Sequence, residues 1–141
     1  MFMSLKPAMH LKPWVEAIWY SRGHLSKLRE RVLPSATTDI IVNLGPPIHM
    51  IEGNGPERIE GTTVSGLLTR PILIEHPPWH EALGLRLSPL GIRAVLGIPG
   101  RMVLDDCVAL TDLTGRAVDE LAETLGAESD KPGRMLQAAV G

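Results

Sequence analysis

"RERVLPSATTDIIVNLG", residues 29–45, sets the fold class of this chain. It turns at Pro34-Ser35, runs apolar from Ile40 to Leu44 and stops at Gly45-Pro46-Pro47. Proline fixes φ and removes a backbone donor, so the segment reads as a buried strand entered through a tight corner and closed by a second one. The residues before it, "KLRERVL", alternate Leu28, Glu30 and Val32 against Arg29, Arg31 and Leu33, the period of a half-buried strand.

Working outward, the same texture continues. "WVEAIWYSRG" is aromatic and β-prone, and Gly23 closes it. Asn54-Gly55 lies between β-type flanks and predicts a type I′ hairpin turn, because that turn needs positive φ at both central residues. "TTVSGLL", "PILIE" and "PPWHEALGLRL" read as further strands. That makes about seven strands in roughly seventy residues, the spacing of a sandwich or barrel. Residues 1–13 read as an arm, with Pro7 and Pro13 discouraging regular structure. After Leu87 the period changes. "SPLGIRAVLGIPG" has a Ser cap, a first-turn Pro and Ile92, Val95 and Leu96 at helical spacing. "LTDLTGRAVDELAETLG" places Leu113, Ala117, Val118, Leu121, Ala122 and Leu125 on one helical face, with Gly126 at its end. "RMLQAAVG" opens another helix that is cut short, as expected at an artificial boundary or where a downstream domain has been deleted. The reading is one α+β domain, strands first and helices after.

Composition bounds the function. A chain of 141 residues suits one domain with a core of its own. Net charge is −2 with scattered Lys and Arg, and no basic stripe offers a grip on a phosphate backbone. The single cysteine, Cys107, excludes an internal disulfide and fits a reducing compartment. The N-terminus is interrupted by lysines, prolines and Glu16, so it lacks the apolar run of a signal peptide. No window approaches a membrane-spanning length. The expected location is the cytoplasm.

"RVLPSATTDIIVNLG", "VSGLLTRPILIEH", "LGLRLSPLGIRAVLGIP" and "LDDCVALTDLTG" occur in this order. Together they resemble the N-terminal sensor domain that precedes the helix-turn-helix pair in a branch of the AraC-type transcription regulators. The resemblance covers roughly residues 13–128. Leu33, Pro34, Asn43, Leu44, Gly45, Ser65, Gly66, Gly84, Arg86, Pro89 and Gly91 match the branch pattern; Ala36 and Leu90 depart from it where glycines are usual. The resemblance implies a cupin-like β-barrel of jelly-roll type followed by C-terminal helices. Residues 14–88 would form the ligand-sensing barrel and residues 89–141 a helical, dimerising region leading to a DNA-binding domain outside this sequence. It further implies a small-molecule effector, a homodimer, and DNA contact only through that missing domain.

Barrels of that kind sometimes hold a metal. Enzymatic ones offer a His-x-His pair, and none of His10, His24, His49, His76 and His80 forms one. In an extended strand His76 and His80 would stand about 13 Å apart, against zinc–nitrogen bonds of about 2 Å. No metal, cofactor or catalytic residue is assigned. Cys107 follows two acids, which push a thiol pKa up and away from reactivity. There is no Gly-x-Ser-x-Gly elbow, and the spaced glycines of "GNGPERIEG" lack the Lys-Ser/Thr of a phosphate loop. The candidate ligand contacts are Arg86 and Asn43, polar residues within apolar strands, with Trp19, Tyr20, Trp79 and His80 as pocket walls. Arg86 alternates with Leu85 and Leu87, so it faces away from both; pairing with Asp39 or Glu81 is its structural alternative. Asn43 has the alternative of satisfying the corner backbone. The leading expectation is a non-enzymatic sensor domain. The rivals are a small cupin-like metalloenzyme using His76 and His80, and a dimerisation module without ligand.

Overall fold

A computed structural model describes residues 1–7, 9 and 12–112, and in it the apolar run of the opening stretch is a central strand. Ten strands are described: β1 (Phe2–Leu5), β2 (Val15–His24), β3 (Arg29–Val32), β4 (Thr38–Asn43), β5 (Ile48–Glu52), β6 (Arg58–Ile59), β7 (Thr62–Ser65), β8 (Ile72–Glu75), β9 (Trp79–Leu87) and β10 (Cys107–Ala109). One short helix, α1 (Pro89–Leu96), and 3-10 turns at Gly100–Val103 and Leu110–Asp112 complete them. Every strand pair is antiparallel. The six-stranded sheet runs β1-β2-β9-β4-β7-β10 and the four-stranded sheet β3-β8-β5-β6.

The expected closed barrel is not formed by the described residues. The strands make two open sheets, because the edges β1 and β10 pair with neither β3 nor β6. A single bridge, Ser35 to Leu68, ties the Pro34 corner to the connection after β7. The result is a mostly antiparallel β fold with one short helix among the described residues.

Alternation along β4 divides the molecule into layers. Thr38, Ile40 and Val42 are buried on one face, while Asp39, Ile41 and Asn43 are half-buried on the other. The first face continues with Ile18 and Tyr20 of β2, Val64 of β7, and Leu83, Leu85 and Leu87 of β9. These pack with Leu96 of α1, Val103 and Leu110 into the hydrophobic core. The core therefore lies outside the space between the sheets, under the helical side. Side chains of period 2 can serve two layers at once, and β4 and β9 do so.

α1 forms as the sequence predicts. Ser88 caps it, its Oγ accepting from the Gly91 N–H at 3.1 Å and donating to the Pro13 carbonyl at 2.6 Å. Gly97, at φ 71°, ends it in the left-handed conformation. Leu90, where the branch pattern has glycine, sits on the first turn with 71% of its surface exposed, a place any residue can fill. Ala36, the other departure, is also exposed.

Two expectations fail in physical detail. The arm carries β1, which pairs with β2 from Phe2 to Leu5, because Pro7 limits only its own neighbourhood and lies beyond the strand. Asn54-Gly55 is not a type I′ turn. Asn54 does not take positive φ; the link from β5 to β6 is the longer segment 53–57, with Gly53 at φ 150° and Gly55 at φ 128°. Gly55 folds back against β10, where a Cβ would meet the Cys107 carbonyl oxygen at 3.0 Å, so its glycine serves an approach that sequence spacing does not show. The helix expected from residue 112 and the one after it lie outside the described residues.

Candidate functional site: the cavity between the sheets

The second face of the six-stranded sheet looks onto the four-stranded sheet across a cavity of about 780 Å³. That is within the roughly 300–1,000 Å³ usual for small-molecule sites. Its two walls differ. The wall from the four-stranded sheet carries Val32, Ile48, Met50, Ile59, Ile72 and Ile74. The wall from the six-stranded sheet carries Trp19, Ser21, Asp39, Asn43, Thr63 and Arg86. The outer face of the four-stranded sheet is polar: Arg29 and His49 both pair across from Glu75, and Arg31 reaches Glu52 at 3.9 Å.

Arg86 is central to the polar wall. β9 pairs with β4 so that Arg86 stands opposite Asp39. Its Nε donates to Asp39 Oδ1 at 3.2 Å and its Nη2 to Oδ2 at 3.5 Å. The Asp39 carboxylate holds the Arg86 pKa above its ordinary value, against the opposing effect of burial. The cavity reaches solvent, since exposed Phe2, Lys27 and Glu30 also line it.

Trp19 is seated by a glycine. Trp19 pairs across from Gly84, and a Cβ on Gly84 would fall 2.0 Å from indole Cε2. Only the missing side chain lets the ring rest against the β9 backbone while lining the cavity. His80 closes one end. Its Nδ1 lies 3.0 Å from the Gly23 carbonyl and its Nε2 lies 2.8 Å from Ser21 Oγ. A carbonyl only accepts, so Nδ1 is the donor and, in the neutral ring, Nε2 accepts from the serine. Asn43 spans the corner after β4: Nδ2 donates to the Pro46 carbonyl at 3.0 Å and Oδ1 accepts from the Gly45 N–H at 3.0 Å. It lines the cavity while its amide is committed to the turn.

Of the candidate contacts, the structure brings together Arg86, Asn43, Trp19 and His80. Tyr20 and Trp79 fall elsewhere. Tyr20 points to the opposite face of its strand and is buried in the core, its hydroxyl donating to Glu81. Burial first, and Glu81 second, push its pKa up to about 12. Trp79 packs edge-on against His24, ring centres 5.0 Å apart.

His76 and His80 line the same cavity but serve different partners, His76 Nε2 donating to Glu30 at 2.7 Å. Among the described residues no three His, Cys, Asp or Glu side chains converge as a metal site. Cys107 is buried at the far end and forms no disulfide. Burial raises its pKa, Asp106 adds to the rise, and a hydrogen bond with Thr63 works against it.

Over residues 3–109 the sequence matches a family described as a domain of unknown function, DUF6597. The chain belongs to the DUF6597 family. No curated protein and no solved structure matches it. No helix among the described residues is long and apolar enough to cross a membrane.

Sequence reading of this DUF6597 domain missed Ser21, Thr63 and the aliphatic wall as site residues. Ile48 and Met50, like Ile72 and Ile74, repeat at period 2, and that signal was present. Periodicity alone does not tell a core-facing row from a cavity-facing one.

Proposed function

We propose that this domain is the ligand-sensing part of an AraC-type transcription regulator and binds a small effector in the cavity between its sheets. The observation that carries the reading is the cavity itself. An apolar wall faces one that sets polar side chains among Ala17, Ile41 and Ala82, and four of the residues picked out as ligand contacts line it. The ordered motifs of the resemblance supply the regulator half of the proposal, with a cupin-like relationship of the sheets as its structural counterpart.

On this reading the domain is not an enzyme, works in the cytoplasm and acts as a homodimer, since paired subunits suit paired half-sites on DNA. DNA would be met through helix-turn-helix units outside this sequence. The effector must bind one arrangement of the regulator better than another, because only differential affinity shifts a conformational equilibrium. Reading the gene beyond the codon for Gly141 tests the regulator assignment. An open frame encoding two helix-turn-helix units is the expected result; a stop codon there contradicts it.

A further inference from the structure

The cavity's charges are balanced. Two cationic side chains, Lys27 and Arg86, are matched by two carboxylates, Glu30 and Asp39. Both acids also have individual partners: Asp39 has Arg86 and Glu30 has His76. An anion drawn to Arg86 meets the Asp39 carboxylate within hydrogen-bond distance of the same guanidinium. A cation drawn to Asp39 meets Arg86 in the same way. Either ion would leave water for a space walled on one side by isoleucines, with no uncompensated opposite charge to repay its desolvation.

An uncharged molecule escapes that cost. Arg86 uses Nε and one Nη2 hydrogen on Asp39, so its remaining N–H groups are free of that pair and can donate to an oxygen. The hydroxyls of Thr63 and Ser65 line the same wall. Trp19, resting against Gly84, offers an aromatic surface beside them.

Resting on the effector-site reading above, we propose that the cavity takes an uncharged, planar, amphipathic molecule. One face lies on the aliphatic wall and the other against Trp19. An oxygen-bearing edge is hydrogen-bonded at the Arg86–Asp39 pair.

The test is a charge series on one skeleton. Binding of 2-naphthamide, 2-naphthoate and 2-naphthylmethylammonium to the whole chain is measured by calorimetry at neutral pH. The neutral amide is expected to bind at least about tenfold more tightly than either ion. Asp39→Asn exposes Arg86 and should move the preference to naphthoate. Arg86→Gln leaves Asp39 alone and should move it to the ammonium, so one variant suffices if the other fails to fold. Tightest binding of naphthoate or of the ammonium to the unaltered chain would overturn the neutral class while leaving the cavity as the site. Absence of binding by all three would overturn the site reading and this inference with it.

Discussion

At the scale of single residues, Gly84 and Gly66 show how one missing methyl can have two meanings. A Cβ at Gly66 would sit 1.6 Å from the Val103 carbonyl oxygen, a backbone atom that cannot move without the core moving. A Cβ at Gly84 would strike the indole of Trp19, a side chain with an open cavity beside it. Gly66→Ala should therefore cost about 3 kcal/mol and Gly84→Ala only about 1 kcal/mol, measured by denaturant unfolding. Gly84→Ala should also change tryptophan emission as Trp19 swings into the cavity. Equal costs would contradict the placement of the two glycines.

Tyr20 gives the pH dependence at the same scale. Its pKa is pushed from 10.0 to about 12 by burial and by Glu81, so the folded state holds the phenol proton over a range in which the unfolded chain releases it. The stability linked to this group is fully present below pH 10 and is lost as pH rises through about 12. It is the only tyrosine, so phenolate absorbance reports it alone. Titration near 12 in the folded protein and near 10 in urea is expected; a folded value near 10 would place Tyr20 outside the core.

At the scale of elements, β4 carries the argument. Ile40 is fully buried on the core face, and Ile41 is half-buried on the cavity wall. Ile40→Ala should cost about 3–4 kcal/mol because it opens a void in close-packed surroundings. Ile41→Ala only enlarges a space already present and should cost about 1–2 kcal/mol, with a change in ligand affinity instead. Comparable losses of stability would mean that the two faces of β4 are packed alike. Strand existence was legible here because β-branched residues and prolines mark it locally. Which face meets the core was not, since Ile40 and Ile41 are the same residue type and only tertiary packing separates them. The Asn54-Gly55 turn misled for a related reason: Gly55 is spent on the approach to Cys107, a contact 52 residues away in sequence.

At the scale of the whole molecule, the two-layer use of the six-stranded sheet explains both what holds the fold and what leaves a cavity between the sheets. The core under α1 frees the opposite face from packing duty, so that face can carry Asp39, Thr63 and Arg86 without leaving them in a dry interior. Arg86 was legible as facing away from Leu85 and Leu87, and its Asp39 partner as a possibility. That they meet follows from the register of β4 on β9, which no local pattern encodes. The barrel expectation missed for the same reason, since edge pairing is a long-range choice.

The most direct test of the cavity as a ligand site is a pair of melting curves. Ala82 lies on the cavity wall, opposite Ser21 on β2 and Asn43 on β4. Ala82→Phe should fill the space without touching the core. The melting temperatures of the unaltered chain and of Ala82→Phe are measured with and without 2-naphthamide. A ligand bound only by the folded state raises the melting temperature by mass action. A rise in the unaltered chain that is lost in Ala82→Phe is the predicted result. An equal rise in both would place the ligand elsewhere and contradict the account.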